Sequence, residues 1–383
     1  MVRWLIFLGA IGTLGLRIWL SPSGQSQYSV GQKVKITATV TREPLKVYQK
    51  EYLVFEGIAL EIPSKVDLRL GDRIVVSGTL TDKLPEMKNA QFGLINESFT
   101  KIQATLSAGT ILQNWRLGMM AKFQRWLPAD EAALAAGILL GGSESMSYDL
   151  RQAYRRSGMS HVVAASGYNV SVVAGWTILF FGRWLNRRLT ILFGIVSIII
   201  YVFLAGGSAA VVRAGIMAVA AWIGQLFGRE GDALWLLGVA SWAMLLINPE
   251  YMGDIGFQLS VAATAGILWF KPSREILASL AAQAATLPLI LHHFGNLSVV
   301  APLANLLFLW LVPPIMQLTA LGVVVGPANW LAWPLLKLMN QGVTWLSSWS
   351  WSSWQVGQIS WLWVGGYYLL LVILSRTRLF RRV

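Results

Sequence analysis

A series of apolar segments separated by short connections fills the chain from residue 158 to its end. A helix needs about 20 mostly apolar residues to cross a bilayer, and some of these segments reach that length while others fall short. Hydrophobic residues make up 55% of the chain and charged residues only 13%, against about 25% charged in a soluble domain. The sequence therefore predicts a mainly α-helical, polytopic membrane protein. The candidate spans are 160–182, 189–205, 209–227, 233–247, 255–270, 276–291, two or more between 298 and 346, and 360–375.

The cationic residues indicate the orientation in the membrane. The net charge is +13, and short cytoplasmic loops and tails of membrane proteins are enriched in Lys and Arg. If the cationic clusters are cytoplasmic, an even number of crossings separates His292 from Ser360, and both lie outside. The apolar run Trp4–Leu20 is then an anchor with a cytoplasmic N-terminus, with a cleaved signal peptide as the alternative. We thus expect a plasma-membrane protein with a cytoplasmic C-terminus. The clusters are Arg183–Arg188, Lys271–Arg274 and Arg376–Arg382.

Residues 28–106 have a soluble composition and alternate in polarity as half-buried strands do. The pattern of residues 30–41 recurs at residues 70–81, and each copy is a glycine turn followed by a strand. With further strands near Tyr52–Leu60 and Phe99–Thr105, this segment predicts a small OB-like or SH3-like β-barrel outside the cytoplasm.

OB barrels often bind single-stranded nucleic acid through a basic groove with stacking aromatic side chains. Lys33, Lys35 and Arg73 are the candidate DNA contacts in this segment. Its charge is nearly balanced and its aromatic residues are few, so a purely structural extracytoplasmic module is an equal alternative.

The next segment predicts helices that lie in the membrane interface. Residues Ile111–Leu127 combine Trp and Arg on different helical faces, as interfacial amphipathic helices do. Pro128 ends this helix, and Asp130 is expected to cap a short apolar helix over Glu131–Leu140. The chain thus divides into an anchor, a β domain, interfacial helices and a polytopic domain, at residues 1–27, 28–106, 107–157 and 158–383.

The stretch Arg156–Ser171 opens a membrane-length segment yet carries serines, a histidine, an asparagine and two glycines. Polar groups at membrane depth need partners or a wet cavity. One interpretation is a helix that lines a path, broken or tightly packed where Gly158 and Gly167 bracket the polar cluster; the alternative is close helix packing through small residues. In an unbroken helix, one face would carry Ser157, His161, Ala164, Tyr168 and Ser171.

Arg213 lies inside an otherwise apolar helix, Ser208–Phe227. An ionisable residue within the membrane is a functional-site hypothesis, and snorkelling toward the interface is the alternative. Asp254 is the candidate partner of Arg213, and Gln258 enters the same membrane segment. Gln283 and Asn305 lie near prolines in later spans, where irregular backbone faces protein or water rather than lipid.

Three sequence blocks together resemble the ComEC/Rec2 family of competence proteins, the inner-membrane channels for DNA uptake. The resemblance covers most of the chain, and the N-terminal anchor and β domain also resemble the family's OB-type extracytoplasmic domain. It implies that single-stranded DNA passes His161, Ser166 and Asn169, that Arg213 contacts phosphate, and that Asp254 and Gln258 support it. The blocks are Ser157–Val170, Ala205–Met217 with Asp254–Ser260, and Gln283–Leu289 through Phe294–Ser298 to Pro302–Asn305.

Two features depart from the family pattern. Asn169 replaces the family's second histidine, so hydrogen bonding is retained there without a titrating group. Many members continue into a metallo-β-lactamase-like domain, whereas this chain ends at Val383 without a corresponding histidine cluster. We therefore expect the nuclease activity to be absent here or to be supplied by a separate metallo-β-lactamase-like protein. The other expected partners are single-stranded DNA, membrane lipids, a cytoplasmic DNA-translocating ATPase and a second copy of the chain.

No cofactor, metal or catalytic activity is expected. The chain has no cysteine and only three histidines, so disulfides and thiolate metal sites are excluded and a histidine-built metal centre is not expected. A small-solute transporter is the first alternative to a DNA channel, although the inverted repeats of such proteins are not evident. An intramembrane serine hydrolase is the second, with Ser166 as nucleophile and His161 or His292 as base.

Overall fold

The structure is a computed structural model with two compact units. A β unit comprises Pro22–Leu117, and a helical unit comprises Met1–Ser21 with Gly118–Val383. Of the predicted anchor Trp4–Leu20, only Thr13 and Arg17 are described, so that prediction lies outside the described residues. The described residues are 13, 17, 30–39, 45–47, 50–55, 58–63, 66, 68, 72–81, 92–102, 108–143, 145–228 and 231–376.

The β unit is built on one six-stranded sheet whose strand order is β1-β5-β6-β4-β3-β2. All neighbours are antiparallel except β4 and β6, which are parallel. The buried face carries aliphatic side chains such as Leu60, Ile74 and Val76, because alternate residues of a strand point to the same side. The strands are β1 Lys33–Thr39, β2 Leu45–Val47, β3 Lys50–Phe55, β4 Ile58–Ile62, β5 Arg73–Thr81 and β6 Phe92–Ile102.

The strand predictions for this unit are right in part. The two copies of the repeated pattern form β1 and β5, which pair with each other. The strand predicted at Tyr52–Leu60 is instead two antiparallel strands, β3 and β4. Within the described strands no barrel closure is found, since β1 and β2 are the two edges of the sheet. Lys33 and Lys35 are exposed on β1, and Arg73 lies opposite Thr39 at the start of β5.

Three helices follow the sheet: α1 (Ala108–Trp126), α2 (Ala129–Leu140) and α3 (Tyr148–Arg156). Pro128 precedes α2 as its N-cap residue, and Asp130 lies within the first turn, so Asp130 is not the predicted cap. Eight of the twelve residues of α2 are buried. The small alanine side chains allow this close packing on several sides, and α2 is a core helix rather than an amphipathic helix at an interface.

The rest of the helical unit consists of packed apolar helices. Among the described residues, four helical segments are long and apolar enough to cross a membrane: Arg187–Leu204, Ala209–Leu226, Leu277–Phe294 and Ala301–Val324. The observed helices match the predicted spans closely, except that the first span is interrupted. The helices are α4 Ser160–Val163, α5 Gly167–Phe181, α6 Arg187–Leu204, α7 Ala209–Leu226, α8 Ala233–Ile247, α9 Ile255–Phe270, α10 Glu275–Phe294, α11 Ala301–Phe308, α12 Val312–Val324, α13 Asn329–Ser347 and α14 Trp361–Arg376.

A short two-stranded ladder joins distant parts of this unit. Strand β7 (Asn296–Ser298) follows α10 and pairs antiparallel with β8 (Ser353–Gln355), which precedes α14. The Trp-rich run at residues 345–354 therefore spans the end of α13 and this ladder rather than a membrane helix. The largest buried core of the unit gathers residues of α2, α3, α5, α6, α12 and α13.

Candidate functional site

The polar stretch that opens the first predicted span is broken into two helices. Helix α4 ends at Val163, and α5 begins at Gly167. Between them the backbone is extended, with ψ of 126° at Ala164 and 168° at Ser166. The predicted break is confirmed, and the predicted common face is wrong because the extended residues interrupt the helical periodicity. We refer to Ala164–Ser166 as the helix break.

The segment that leads into the helix break packs against the start of α11. Gly158 has φ of +75°, which glycine adopts without strain. A Cβ at this position would overlap the side chain of Ala301 and would lie 3.1 Å from the Ser298 hydroxyl oxygen. The Ser298 hydroxyl also donates to the carbonyl oxygen of Arg156 at 2.7 Å. The first sequence block is therefore in contact with the third.

The other end of the helix break packs against the start of α7. The Ser208 hydroxyl donates to the carbonyl oxygen of Ala165 at 3.5 Å. A Cβ on Gly167 would lie 3.1 Å from the Cβ of Ala214 and 3.5 Å from Nη2 of Arg213. The first block is thus also in contact with the second, at the helix break itself, whereas its contact with the third block lies at Gly158.

Arg213 is buried beside the helix break, with 4% of its surface exposed. Its Nε donates to the Ser260 hydroxyl at 3.0 Å, and its Nη1 lies 3.3 Å from Sδ of Met217. Its predicted partner Asp254 is exposed and instead accepts from the backbone N–H of Phe257 at 2.6 Å, capping α9. Among the residues that the structure describes, no carboxylate forms an ion pair with Arg213.

Asn169 is 1% exposed and ties α5 to the buried helix α2. Its Nδ2 donates to the carbonyl oxygen of Ile138 at 2.9 Å, and its Oδ1 accepts from the Ser166 hydroxyl at 3.3 Å. His161 is exposed on α4, where its Nδ1 lies 3.1 Å from the carbonyl oxygen of Gly158. Ser166 and His161 therefore make separate hydrogen bonds and do not form the nucleophile–base pair of a hydrolase.

The remaining predicted residues form two further clusters in the helical unit. Gln258 donates to the Met252 carbonyl at 2.7 Å, and its Oε1 lies 2.8 Å from Nε2 of His293. A carbonyl oxygen of the Gln258 side chain can only accept, so His293 donates and its Nε2 carries the proton.

Gln283 and Asn305 meet at a residue that the sequence argument did not single out. Both side-chain amides donate to the hydroxyl oxygen of Ser279, at 3.1 Å and 3.0 Å. Ser279 lies one helical turn before Gln283 on α10, and that spacing is the signal that could have identified it. The structure thus brings Ser166, Asn169 and Arg213 to the helix break and places the other predicted residues elsewhere.

In the part of the chain that the structure describes, neither the cavities nor clusters of titratable side chains indicate a second site. An open depression of about 440 Å³ is lined by Asp130, Glu131, Asn340 and Trp345, none of which is a predicted site residue. Across the described ranges, no group of three or more His, Cys, Asp or Glu side chains could hold a metal ion.

Residues 138–381 match the family described as Competence protein, and this range contains all three sequence blocks and the helix break. The chain belongs to the Competence protein family. The match begins near the end of α2 and continues into the C-terminal tail, so it covers more than half of the chain and leaves out the β unit.

Individual relatives agree with this assignment. The chain is 26% identical to ComE operon protein 3 of Bacillus subtilis (strain 168) over 191 residues, which are 47% of this chain and 25% of that protein. It is 28% identical to Competence protein ComA of Neisseria gonorrhoeae over 224 residues, 51% of this chain and 31% of that protein. These matches confirm the resemblance to the ComEC/Rec2 family.

The uncharacterized protein YcaI of Escherichia coli (strain K12) is 26% identical over 151 residues, 36% of this chain and 20% of that protein. The matched segments therefore span less than a third of each of these relatives. No solved structure matches the chain significantly. The family is thus shown by sequence.

Proposed function

We propose that the chain forms a plasma-membrane channel through which single-stranded DNA enters the cytoplasm during natural transformation. The observation that carries this proposal is the helix break, where two distant sequence blocks of a competence protein meet beside a buried arginine. Non-helical backbone at membrane depth is tolerated where it is buried in protein or lines a water-filled cavity. We therefore infer that the polar residues at the helix break line a path for a polar substrate.

Each predicted residue has a role in this proposal that follows from its place in the fold. Arg213 contacts the phosphates of the strand, and Ser166 and Asn169 line the path at the helix break. His161, exposed on α4, lines the approach to the break. The side chains of Gln258, Gln283 and Asn305 stabilise the packing around the path through neutral hydrogen bonds. Asp254 acts by capping α9 and not by pairing with Arg213.

The proposed orientation places the clusters Arg183–Arg188 and Lys271–Arg274 in the cytoplasm together with the C-terminus. The connection after α10 and the segment before α14 are then extracytoplasmic, and the β7–β8 pairing supports this by holding the two segments at the same end of the helical unit. The β unit faces outward in this arrangement, where incoming DNA arrives.

We also propose that the β unit is an OB-like module. Its edge strands β1 and β2 are consecutive in the chain, with only residues 40–44 between them, so a curled sheet would bring its two edges together. The single parallel pair, β4 with β6, is expected where a Greek-key connection crosses the sheet. Lys33 and Lys35, exposed on β1, and Arg73 on the paired strand β5 are the proposed DNA contacts of this module.

The proposed channel is not an enzyme and works with other proteins. The proposed partners are a separate metallo-β-lactamase-like nuclease that degrades the strand left outside, a cytoplasmic DNA-translocating ATPase, membrane lipids and a second copy of the chain. A small-solute transporter remains the second candidate, because transporters also bind substrates at the N-termini of broken membrane helices. That resemblance rests on α5, which begins at the helix break.

A transformation assay tests the proposal. The gene is deleted in a naturally competent host, and uptake of labelled DNA is followed to the outside of the cell and to the cytoplasm separately. We expect DNA to bind outside while import is lost, and complementation by the full chain to restore import. Unchanged import after deletion refutes the channel. A growth defect on one nutrient, with normal import, favours the transporter instead.

A further inference from the structure

Helix α5 begins at the helix break without a capping side chain. The hydroxyl of Ser166, its N-cap residue, donates to the Asn169 side chain and makes no cap hydrogen bond. The first amides of a helix have no intrahelical acceptor, and the helix dipole places about half a positive charge at this end. Among the described residues, no backbone hydrogen bond is found from the N–H of Gly167. Helix starts of this kind favour an anion when other donors point to the same place.

Arg213 brings a full positive charge to the same place. Gly167 has no side chain, and this lets Nη2 of Arg213 approach the first residue of α5. Nε and Nη1 are directed to Ser260 and Met217, which are both neutral. A buried cation without an anionic partner is strongly disfavoured in a membrane protein. Nη2 therefore remains available for an anion at the start of α5.

Tyr201 of α6 places a buried hydroxyl beside Asn169, two residues into α5 from Gly167. It is 5% exposed, its side chain lies beside that of Asn169, and its hydroxyl makes no hydrogen bond of good geometry. Buried hydroxyls in folded proteins are almost always hydrogen-bonded, so a buried hydroxyl without a partner suggests that a ligand supplies one. Nothing in its sequence context, an apolar helix, pointed to this tyrosine.

We propose that these groups form an anion site for one phosphate group, which rests on the proposed function and deepens it. The donors are the Arg213 guanidinium, the Gly167 amide and the Tyr201 hydroxyl. All three are donors and none is an anion, so the ligand is an acceptor with several oxygens. A phosphate offers oxygens in different directions to a guanidinium and to two single donors, whereas a carboxylate offers two oxygens in one plane. The phosphate belongs to the DNA backbone during transport and to free inorganic phosphate otherwise.

Binding to the purified full chain in detergent tests the site. Inorganic phosphate, a short thymidine oligonucleotide and the same oligonucleotide with an uncharged methylphosphonate backbone are titrated by calorimetry. We expect the first two to bind and the third to bind at least about tenfold more weakly, as the loss of a charge-assisted contact implies. Phosphate binding without oligonucleotide binding supports a site for the free anion and overturns the assignment to DNA.

Three variants and two controls locate the site. Tyr201→Phe removes one oxygen and is expected to weaken both phosphate and oligonucleotide about three- to tenfold, the effect of one lost hydrogen bond. Gly167→Ala crowds Nη2 and is expected to weaken both further, and Arg213→Gln to abolish both. Tyr148→Phe and Arg125→Gln, at exposed positions, are expected to bind as the native protein does.

The site is refuted if native protein binds no phosphate, or if Tyr201→Phe and Gly167→Ala bind as native while remaining folded by their unfolding temperatures. DNA import is measured separately on the same variants. If deletion of the gene leaves import intact while Tyr201→Phe weakens phosphate binding, the channel function is refuted and the anion site stands. If import requires the protein but substitutions at Tyr201 and Arg213 leave the phosphate affinity unchanged, the site is refuted and the channel function stands.

Discussion

Arg213 on α7 and Ser260 on α9 are hydrogen-bonded to each other: Nε of Arg213 donates to Oγ of Ser260 at 3.0 Å. This bond orients a buried guanidinium without neutralising it, since a hydroxyl carries no charge. A carboxylate in the same place would form an ion pair and would repel a passing phosphate. The choice of a neutral partner keeps the positive charge available to a substrate.

We therefore expect Arg213→Gln to reduce transformation by about ten- to a hundredfold, which corresponds to about 1.5–3 kcal/mol for a lost charge-assisted hydrogen bond. Arg213→Lys is expected to be intermediate, because lysine keeps the charge and loses the planar fork. Transformants are counted at equal membrane levels of the protein. Arg125→Gln, at an exposed position, is the control, and a fully active Arg213→Gln protein would contradict the prediction.

Gly158→Ala tests the contact between the first and third sequence blocks. The left-handed backbone and the overlap of a new Cβ with Ala301 both oppose alanine there. We expect a loss of about 1–3 kcal/mol in the free energy of unfolding, seen as a lower unfolding temperature in detergent. Gly175→Ala is the matched control, since no atom lies within 4 Å of its Cβ position. Equal unfolding temperatures for the two variants would refute the strained packing at Gly158.

Asn169→Leu leaves the Ile138 carbonyl without its donor and is expected to lower the free energy of unfolding by about 1–3 kcal/mol. Asn169→His restores the residue type that the ComEC/Rec2 resemblance places there and keeps an N–H donor. We expect it to retain most of the stability and transformation. The two variants are compared by thermal unfolding and by transformant counts, and an Asn169→His protein as unstable as Asn169→Leu would show that donation to Ile138 is not the role of this residue.

Ser166→Ala separates a channel from a hydrolase. The Ser166 hydroxyl donates to Asn169 and has no histidine partner, so we expect no labelling of the native protein by a serine-reactive fluorophosphonate. Transformation of the variant is expected to stay within about tenfold of native, the cost of one neutral hydrogen bond. Labelling that disappears in Ser166→Ala would establish a nucleophilic serine instead.

The double variant Lys33→Glu, Lys35→Glu tests the β unit. Both side chains are exposed on β1, and the unfolding temperature of the variant is measured alongside to establish that it is folded. Binding of single-stranded DNA is expected to weaken and to depend less steeply on salt, because each lysine that neutralises a phosphate releases a counterion. Replacement of Arg125 by Glu in α1, also exposed, is the comparison. Identical salt slopes for the native protein and the β1 variant would leave the β unit with a structural role only.

The sequence predicted the elements well because hydrophobic periodicity is a local property. The membrane-length helices, the repeated strands β1 and β5 and the break near Gly167 all follow from runs of apolar residues and from glycine positions. The contacts between residues far apart in the chain could not be predicted in this way. Asp254 was the expected partner of Arg213 because opposite charges attract, yet a helix N-terminus competes for the same carboxylate at short range and binds it.

By itself, the sequence determined that this chain is a membrane protein with a separate strand-rich segment, and its motifs determined the family. Only the tertiary structure decided that Gly158 contacts Ala301, that Gly167 contacts Arg213, and that Tyr201 of the apolar helix α6 is buried beside Asn169. The physical reason is that the composition and the hydrophobic periodicity of a segment indicate whether it lies in lipid, in the protein core or in water. Which segments touch depends on side-chain packing between residues far apart in the chain, and that packing has no signature in any one stretch of sequence.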